Sequence, residues 1–218
     1  MPLTVEIWSD VVCPWCYIGK RRFEAALEQF EHRDEVTVMW RSFELDPEAP
    51  RDAEGTAAER LAAKYGMSIE RALNLHAEMT QRAAAEGLEF HFERARGGNT
   101  FDAHRMIHLA ATYGHQAAAQ ERLMRAYFTD GEAISDHETL VRLVAELGVD
   151  AEEARAALAL DRFGEDVRED ENLAAQLGIQ GVPFFVLDRH YGVSGAQPPE
   201  VLLGALERAW GEAVSLRA

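Results

Sequence analysis

Asp10-Val11-Val12-Cys13-Pro14-Trp15-Cys16 is the stretch whose reading decides the architecture of this chain. Before it, Leu3, Val5 and Ile7 alternate with Thr4 and Glu6, the period-two pattern of a β-strand. After it, Cys16, Phe23, Leu27 and Phe30 recur at spacings that place them on one stripe of a helix. Pro14 suits the first helical position, where its missing N–H costs nothing. The segment therefore reads as a strand that turns into a helix, with Cys13 at the turn and Cys16 one turn inside. A second strand follows, where Val36, Val38 and Trp40 alternate with Thr37, Met39 and Arg41.

From about Thr56 to Gly178 the pattern becomes helix after helix. Thr56 with Glu59, Ser135 with Glu138, and Asp150 with Glu153 are spaced as capping boxes, and Gly66, Gly87, Gly148 and Gly178 stand where helices stop. Asn99 or Thr100 opens a helix that contains His104 and His108. Beyond Gly178, Val182-Pro183-Phe184-Phe185-Val186-Leu187 is a short apolar strand, Asp188 to His190 a turn, and Tyr191 and Val193 a further strand broken by Gly195. Pro198 or Pro199 starts a closing helix with Leu202, Leu206 and Trp210. Neither strand pair is stable alone, so the two ends of the chain are expected to share one sheet. The expected organisation is one domain from residues 1–50 and 179–218, with a flanking helix at 162–178, and a helical insertion over 56–161.

Two cysteines separated by two residues cannot build a disulfide framework, so redox chemistry or metal binding is their expected use. Cys13 lies where the positive end of a helix dipole stabilises a thiolate, which makes it the expected exposed nucleophile with a lowered pKa. Cys16, shielded one turn further on, is positioned to attack a mixed disulfide formed on Cys13. A Cys-x-x-Cys pair is also half of a tetrahedral zinc site, and His104 and His108 are spaced to supply the other half. Two inert buried cysteines are the third reading.

Asp and Glu outnumber Lys and Arg by 38 to 22, leaving a net charge of -16, which argues against a nucleic-acid partner. Lys20, Arg21 and Arg22 form a local basic cluster that reads as a solvated helix face. No run approaches the roughly 18 apolar residues of a membrane span. The first residues lack a basic start and an apolar signal core, so the expected location is cytoplasmic.

Cys13-Pro14-Trp15-Cys16 after a first strand, a helical middle and Gly181-Val182-Pro183-Phe184 near the end resemble the DsbA-like thioredoxin family over nearly the whole chain. Phe43-Glu44-Leu45, Asn99-Thr100, Ala103-His104-Arg105 and Ser194-Gly195-Ala196-Gln197 are further similar to the cytoplasmic FrnE-like branch, named for a polyketide-cluster oxidoreductase. That branch is related to 2-hydroxychromene-2-carboxylate isomerases and kappa-class glutathione transferases. The resemblance implies an α/β thioredoxin fold, β-α-β then β-β-α, interrupted by an all-helical insertion. It also implies a cis peptide before Pro183, with the Val182 backbone facing Cys13 and pairing with an extended substrate. Pro14, Trp15, Val182 and Pro183 then line the substrate groove. Asn99, Thr100, His104, Gly195, Ala196 and Gln197 match positions near the glutathione or substrate groove of the relatives. Read locally, Asn99 and Thr100 are equally helix caps, Gly195 a turn residue, Pro183 a strand-initiating proline and His104 an ordinary helix histidine. Asp10 and Glu44 are surface or capping carboxylates, or acids that move protons beside the motif. Where periplasmic DsbA proteins carry histidine inside the motif this chain has Trp15, and where the isomerases and transferases typically have serine it has Cys13.

The expected function is therefore thiol–disulfide exchange on a protein or small-molecule thiol or disulfide, without metal or organic cofactor, glutathione being the one co-substrate suggested. The alternative is a glutathione-dependent isomerase or transferase acting on an aromatic small molecule; a non-catalytic binding module is a third class. Related branches often dimerise, so a homodimer is among the expected partners.

Overall fold

Strand β1, Leu3–Ser9, is the centre of the sheet. On one side β2 (Val36–Ser42) runs parallel to it, Leu3 beside Val36 and Ser9 beside Ser42. On the other, β3 (Phe184–Leu187) runs antiparallel, Val5 beside Leu187 and Trp8 beside Phe184. β4 (Tyr191–Ser194) pairs antiparallel with β3, completing the order β2-β1-β3-β4. The β-α-β and β-β-α halves thus meet in one sheet, a thioredoxin-like α/β fold. The computed structural model describes residues 2–215; residue 1 and residues 216–218 of the expected terminal segments lie outside the described residues.

β3 begins at Phe184 rather than Val182, because Pro183 has no N–H to continue the ladder. One step further along the register, Ser9 would face Pro183. That register brings the chain before Pro183 to the turn that carries the cysteines.

Helices cover both faces of the sheet. α1 (Pro14–Gln29) and α9 (Pro199–Ser215) pack on one, where Phe23 stacks on Phe185 at 5.6 Å and Leu202 and Leu206 meet Leu3, Val5 and Ile7. α8 (Gly164–Gln176) covers the other, burying Trp8 and Val186 against Ala174 and Ile179. The indole N–H of Trp8 donates to the Asp170 carbonyl at 2.9 Å, so burial leaves it satisfied. Glu6, a polar position in the alternation of β1, is 2% exposed. Arg41 and Arg189 bond its carboxylate and, against the upward push of burial, hold its pKa below the usual range.

The intervening helices are α2 (Ala57–Tyr65), α3 (Ile69–Ala85), α4 (Phe101–Thr112), α5 (Gln116–Arg125), α6 (His137–Ala145) and α7 (Ala151–Ala159). Thr56 and Glu59 form a reciprocal capping box, Asp150 caps α7 through Glu153 N–H, and Gly66 ends α2 in the left-handed region at φ 62°. The expected Ser135–Glu138 cap is displaced by one residue. The Asp136 carboxylate accepts from Thr139 N–H at 2.8 Å, a charge-assisted bond, while Ser135 is buried. Residues 86–100 are not helical, a departure from the helix-after-helix reading. There Phe90 stacks on Phe128 at 4.3 Å and on Tyr17 at 5.9 Å, pinning the segment to α1. The apolar core around Cys13, Cys16, Tyr17 and Ile18 continues into Met106, Leu109, Leu123 and Phe128 without interruption.

Lys20, Arg21 and Arg22 are not a solvated face. Lys20 is 4% exposed and reaches Glu121 at 2.6 Å; Arg21 binds the same carboxylate; Arg22 bonds Glu86 at 2.6 Å and the Ala196 carbonyl at 2.7 Å. The acids come from α5 and from the end of α3, which pack over this side of α1, something helical periodicity within α1 does not register. Burial acts to raise the pKa of Glu121, but Arg21, Lys20 and the Tyr17 hydroxyl hold it at about 2.

Candidate active site

After β1 the chain turns tightly: Cys13 N–H donates to the Asp10 carbonyl at 3.1 Å. With φ −86° and ψ 113°, Cys13 occupies the N-cap of α1, Pro14 follows in the first turn, and the Cys13 carbonyl accepts from Cys16 N–H at 3.0 Å. Both cysteines are free thiols, with the Cys16 sulfur within hydrogen-bonding reach of Cys13. The pair differs less in exposure than expected, since Cys13 is 4% exposed and Cys16 1%. Cys13 is covered because its Sγ faces the Val182 carbonyl, donating to it at 3.7 Å. The inequivalence lies in their partners. Cys16 is buried, which pushes its pKa well up, and the adjacent Cys13 sulfur adds to the shift, with Asp10 and Ser9 opposing it.

The Val182–Pro183 peptide is cis, as the resemblance implies. Val182 and Ala196 both pack against the core that holds the two cysteines, and the Pro183 carbonyl accepts from Gly195 N–H at 2.8 Å. Gly195 and Ala196 are thereby drawn beside the motif. Gln197 is not directed at it: its side-chain amide donates to the Ser194 carbonyl at 2.8 Å. Trp15, at 38%, is the exposed member of the motif, with the Arg82 guanidinium 5.7 Å from its ring centroid.

Asn99 serves as a local clamp. Its Oδ1 accepts from Phe101 N–H at 2.8 Å, opening α4, and its Nδ2 donates to the Pro47 carbonyl at 3.1 Å. Thr100 occupies the N-cap and is buried without a capping bond from its side chain. His104 is 1% exposed, its Nε2 3.5 Å from Asp10 Oδ1 but not aligned for a hydrogen bond. Asp10 and Glu44 are not surface carboxylates. Asp10 is 1% exposed and accepts from Leu45 N–H at 2.8 Å; Glu44 is 5% exposed, one oxygen bound by Arg168 at 2.6 Å and the other unpartnered. Burial pushes the Glu44 pKa up, with Arg168 opposing and Glu171 reinforcing. His108 does not join the cysteines in a zinc site: its Nε2 lies 3.1 Å from both Ser42 Oγ and Asp170 Oδ2. Among the described residues no cluster of three His, Cys, Asp or Glu side chains is arranged to hold a metal.

Sequence reasoning missed Gly19. A Cβ there would stand 2.8 Å from Pro183 Cγ and 3.5 Å from Ala196 Cβ, so the bare backbone of α1 is what lets Pro183 reach the cysteines. The signal was present, because glycine inside a helix costs about 1 kcal/mol against alanine and calls for a reason. The buried hydrogen bond from Gln120 to Ser9 at the end of β1 carries no sequence signature either.

A Cys-x-x-Cys pair at the start of the helix after the central strand, facing a cis-proline, places the chain in the thioredoxin-like class of folds. The family model of the DSBA-like thioredoxin domain matches residues 4–207, and the chain belongs to that family. It is 51% identical to a probable DsbA oxidoreductase, SCO1869, from Streptomyces coelicolor, covering 96% of this chain and 91% of that one with a TM-score of 0.92. The uncharacterized protein YwbO of Bacillus subtilis is 25% identical over 86% of this chain and 88% of its own length. The fold is also that of the cytosolic disulfide reductase DsbM from Pseudomonas aeruginosa, whose structure with GSH aligns at 21% identity over 99% and 100% of the two chains, TM-score 0.64.

Proposed function

We propose that the chain is a thiol–disulfide oxidoreductase that exchanges disulfides through Cys13 and Cys16. The observation that carries this reading is the Cys13 sulfur at the N-cap of α1, beside the Cys16 thiol and opposite the Val182 carbonyl. The dipole of α1 favours negative charge at its N-terminal end, where Cys13 sits. A Cys13 thiolate attacks one sulfur of a substrate disulfide, forms a mixed disulfide and releases the first substrate thiolate. Cys16, after losing its proton, attacks the Cys13 sulfur, forming the Cys13–Cys16 disulfide and releasing the second substrate thiolate. Two electrons pass from the protein to the substrate; the reverse sequence oxidises a dithiol. A substrate segment extended along Val182 takes over the carbonyl that Cys13 Sγ now faces. Thiols and disulfides are the only redox reagents required, and the proposed compartment is the cytoplasm.

The test is turnover of a model disulfide with glutathione as reductant, followed in the native protein and in Cys13→Ser and Cys16→Ser. Loss in both variants supports the reading. Glutathione-dependent turnover of an aromatic small molecule that persists without Cys16 would replace it with the isomerase or transferase alternative.

A further inference from the structure

Trp15 stands between the two cysteines in the chain, and the Arg82 guanidinium lies 5.7 Å from its ring centroid, within the range of a cation–π contact. The helix that carries Arg82, α3, is fixed against the motif. Ala83 is buried in the same apolar core as Cys13 and Cys16, Met79 packs against that core, and Glu86 binds Arg22 of α1 at 2.6 Å. Arg82 itself is exposed. Among the described residues, the lysines and arginines with no carboxylate within 4.0 Å are Arg51, Arg60, Lys64, Arg71, Arg82 and Arg96. All six fall within residues 51–96, which carry seven Lys or Arg against eight Asp or Glu, a net charge of -1 in a chain of -16. Unpaired positive charge is therefore gathered on one segment, and Arg82 brings it to the motif. Val182, Gly195 and Ala196, the other residues drawn beside the cysteines, are uncharged, and Arg22 is neutralised by Glu86. Asp10 is buried with its carboxylate engaged by Leu45 N–H, and Glu78, one turn before Arg82 on α3, stands outside ion-pair distance.

We propose that Arg82 is a specificity residue of the exchange reaction, favouring disulfides that carry a negative group beside the sulfurs, so that the substrate class is an anionic disulfide or thiol. The inference rests on the disulfide-exchange reading and names the substrate class for that same site. The Trp15 ring holds the guanidinium beside the motif, and with no acid partner its N–H donors are free for a carboxylate on the incoming substrate. The net charge of -16 repels an anion at a distance. Attraction to one arginine reaches only about a Debye length, roughly 8 Å at physiological salt, so the selection is made at the motif and not during approach.

The experiment mixes the reduced protein in a stopped flow with dithiobis-nitrobenzoate, a dianion, and separately with dithiodipyridine, which is neutral, and takes the ratio of the two attack rates at low salt. The ratio is expected to fall about threefold in Arg82→Gln and about tenfold in Arg82→Glu, while Arg82→Lys keeps most of it. Arg71→Gln removes the same charge about 16 Å away along α3 and lowers the ratio by less. In the native protein the ratio falls as salt is raised. A pair of short peptide disulfides, flanked by Asp or by Lys, then identifies the source of the anion. A preference for the Asp peptide places it on a protein chain, and a preference confined to the small probes places it on a small molecule. A ratio unchanged in Arg82→Gln, or lowered equally in Arg71→Gln, overturns the proposal. So does an equal loss of rate with both probes, which would make Arg82 only a support for Trp15. A native protein that attacks neither disulfide sinks the exchange reading and this inference with it, an outcome distinct from an unchanged ratio.

Discussion

The Cys13 thiol and the Val182 carbonyl oxygen lie 3.7 Å apart although 169 positions separate them in the chain. The contact covers the sulfur at the start of α1, so on the proposed reading a substrate has to displace it. Cys16→Ser is accordingly expected to trap substrates as mixed disulfides on Cys13, because attack survives while resolution is lost. Cys13→Ser should trap few or none, since Cys16 is 1% exposed, one turn inside α1. Electrophoresis without reductant and mass identification of the captured species check this, and equal trapping by both variants would refute the division of roles.

Gly19 and Gly204 make a matched pair. Both sit inside helices, but a Cβ at Gly204 meets nothing within 4 Å, whereas at Gly19 it would press on the Pro183 ring at 2.8 Å. Gly204→Ala should therefore stabilise the protein by up to about 1 kcal/mol through helix propensity. Gly19→Ala should destabilise it by about 1–3 kcal/mol through overpacking, and slow disulfide exchange as Pro183 is displaced from the motif. Denaturant titration of both variants decides whether α1 and Pro183 are as tightly apposed as described.

Asp170 ties α8 to the sheet: its carboxylate receives Arg41, Ser42 N–H and His108, contacts that hold its pKa below the usual range despite the upward push of burial. A carboxylate with a depressed folded pKa contributes stability above its unfolded pKa of about 3.9 and loses it as pH falls through the folded value. Asp170→Asn is expected to cost about 3 kcal/mol at neutral pH, leaving Arg41 with one fewer acid partner in a half-buried site. Thermal unfolding of the variant and the native protein should converge as pH falls below the depressed folded pKa of Asp170.

Glu44 has the opposite sign. Its pKa is raised chiefly by burial, so the stability associated with its protonated form is present below about pH 4.3, the unfolded value, and is lost as pH rises through the folded one. Glu44→Gln mimics the protonated acid and keeps an oxygen for Arg168. Relative to the native protein its Tm should improve as pH is raised from about 4 to 7. A difference that stays flat across that range would show that the buried carboxyl is not held away from ionisation.

What local sequence determined was the order of elements and the chemistry at one turn. Alternation at Leu3–Ile7, the stripe from Cys16 to Phe30 and Pro14 at a helix start are short-range patterns, each set by the backbone period within a few residues. The two half-motifs share a sheet because neither can bury its apolar face alone. Tertiary structure decided the rest, because it depends on which surfaces meet across the chain. Packing of α5 and the end of α3 against α1 turned Lys20, on what read as a solvated face, into a buried ion; Trp8 was buried against α8, and Glu6 beneath Arg41 and Arg189. Asp10 came to lie against Leu45 and His104 of α4, and Glu44 against Arg168 of α8, burial that local pattern could not distinguish from surface exposure. Ser9 and Gln120, 111 positions apart, have no periodicity or motif in common. Their bond exists because the end of β1 abuts α5, and a buried polar group there needs a partner.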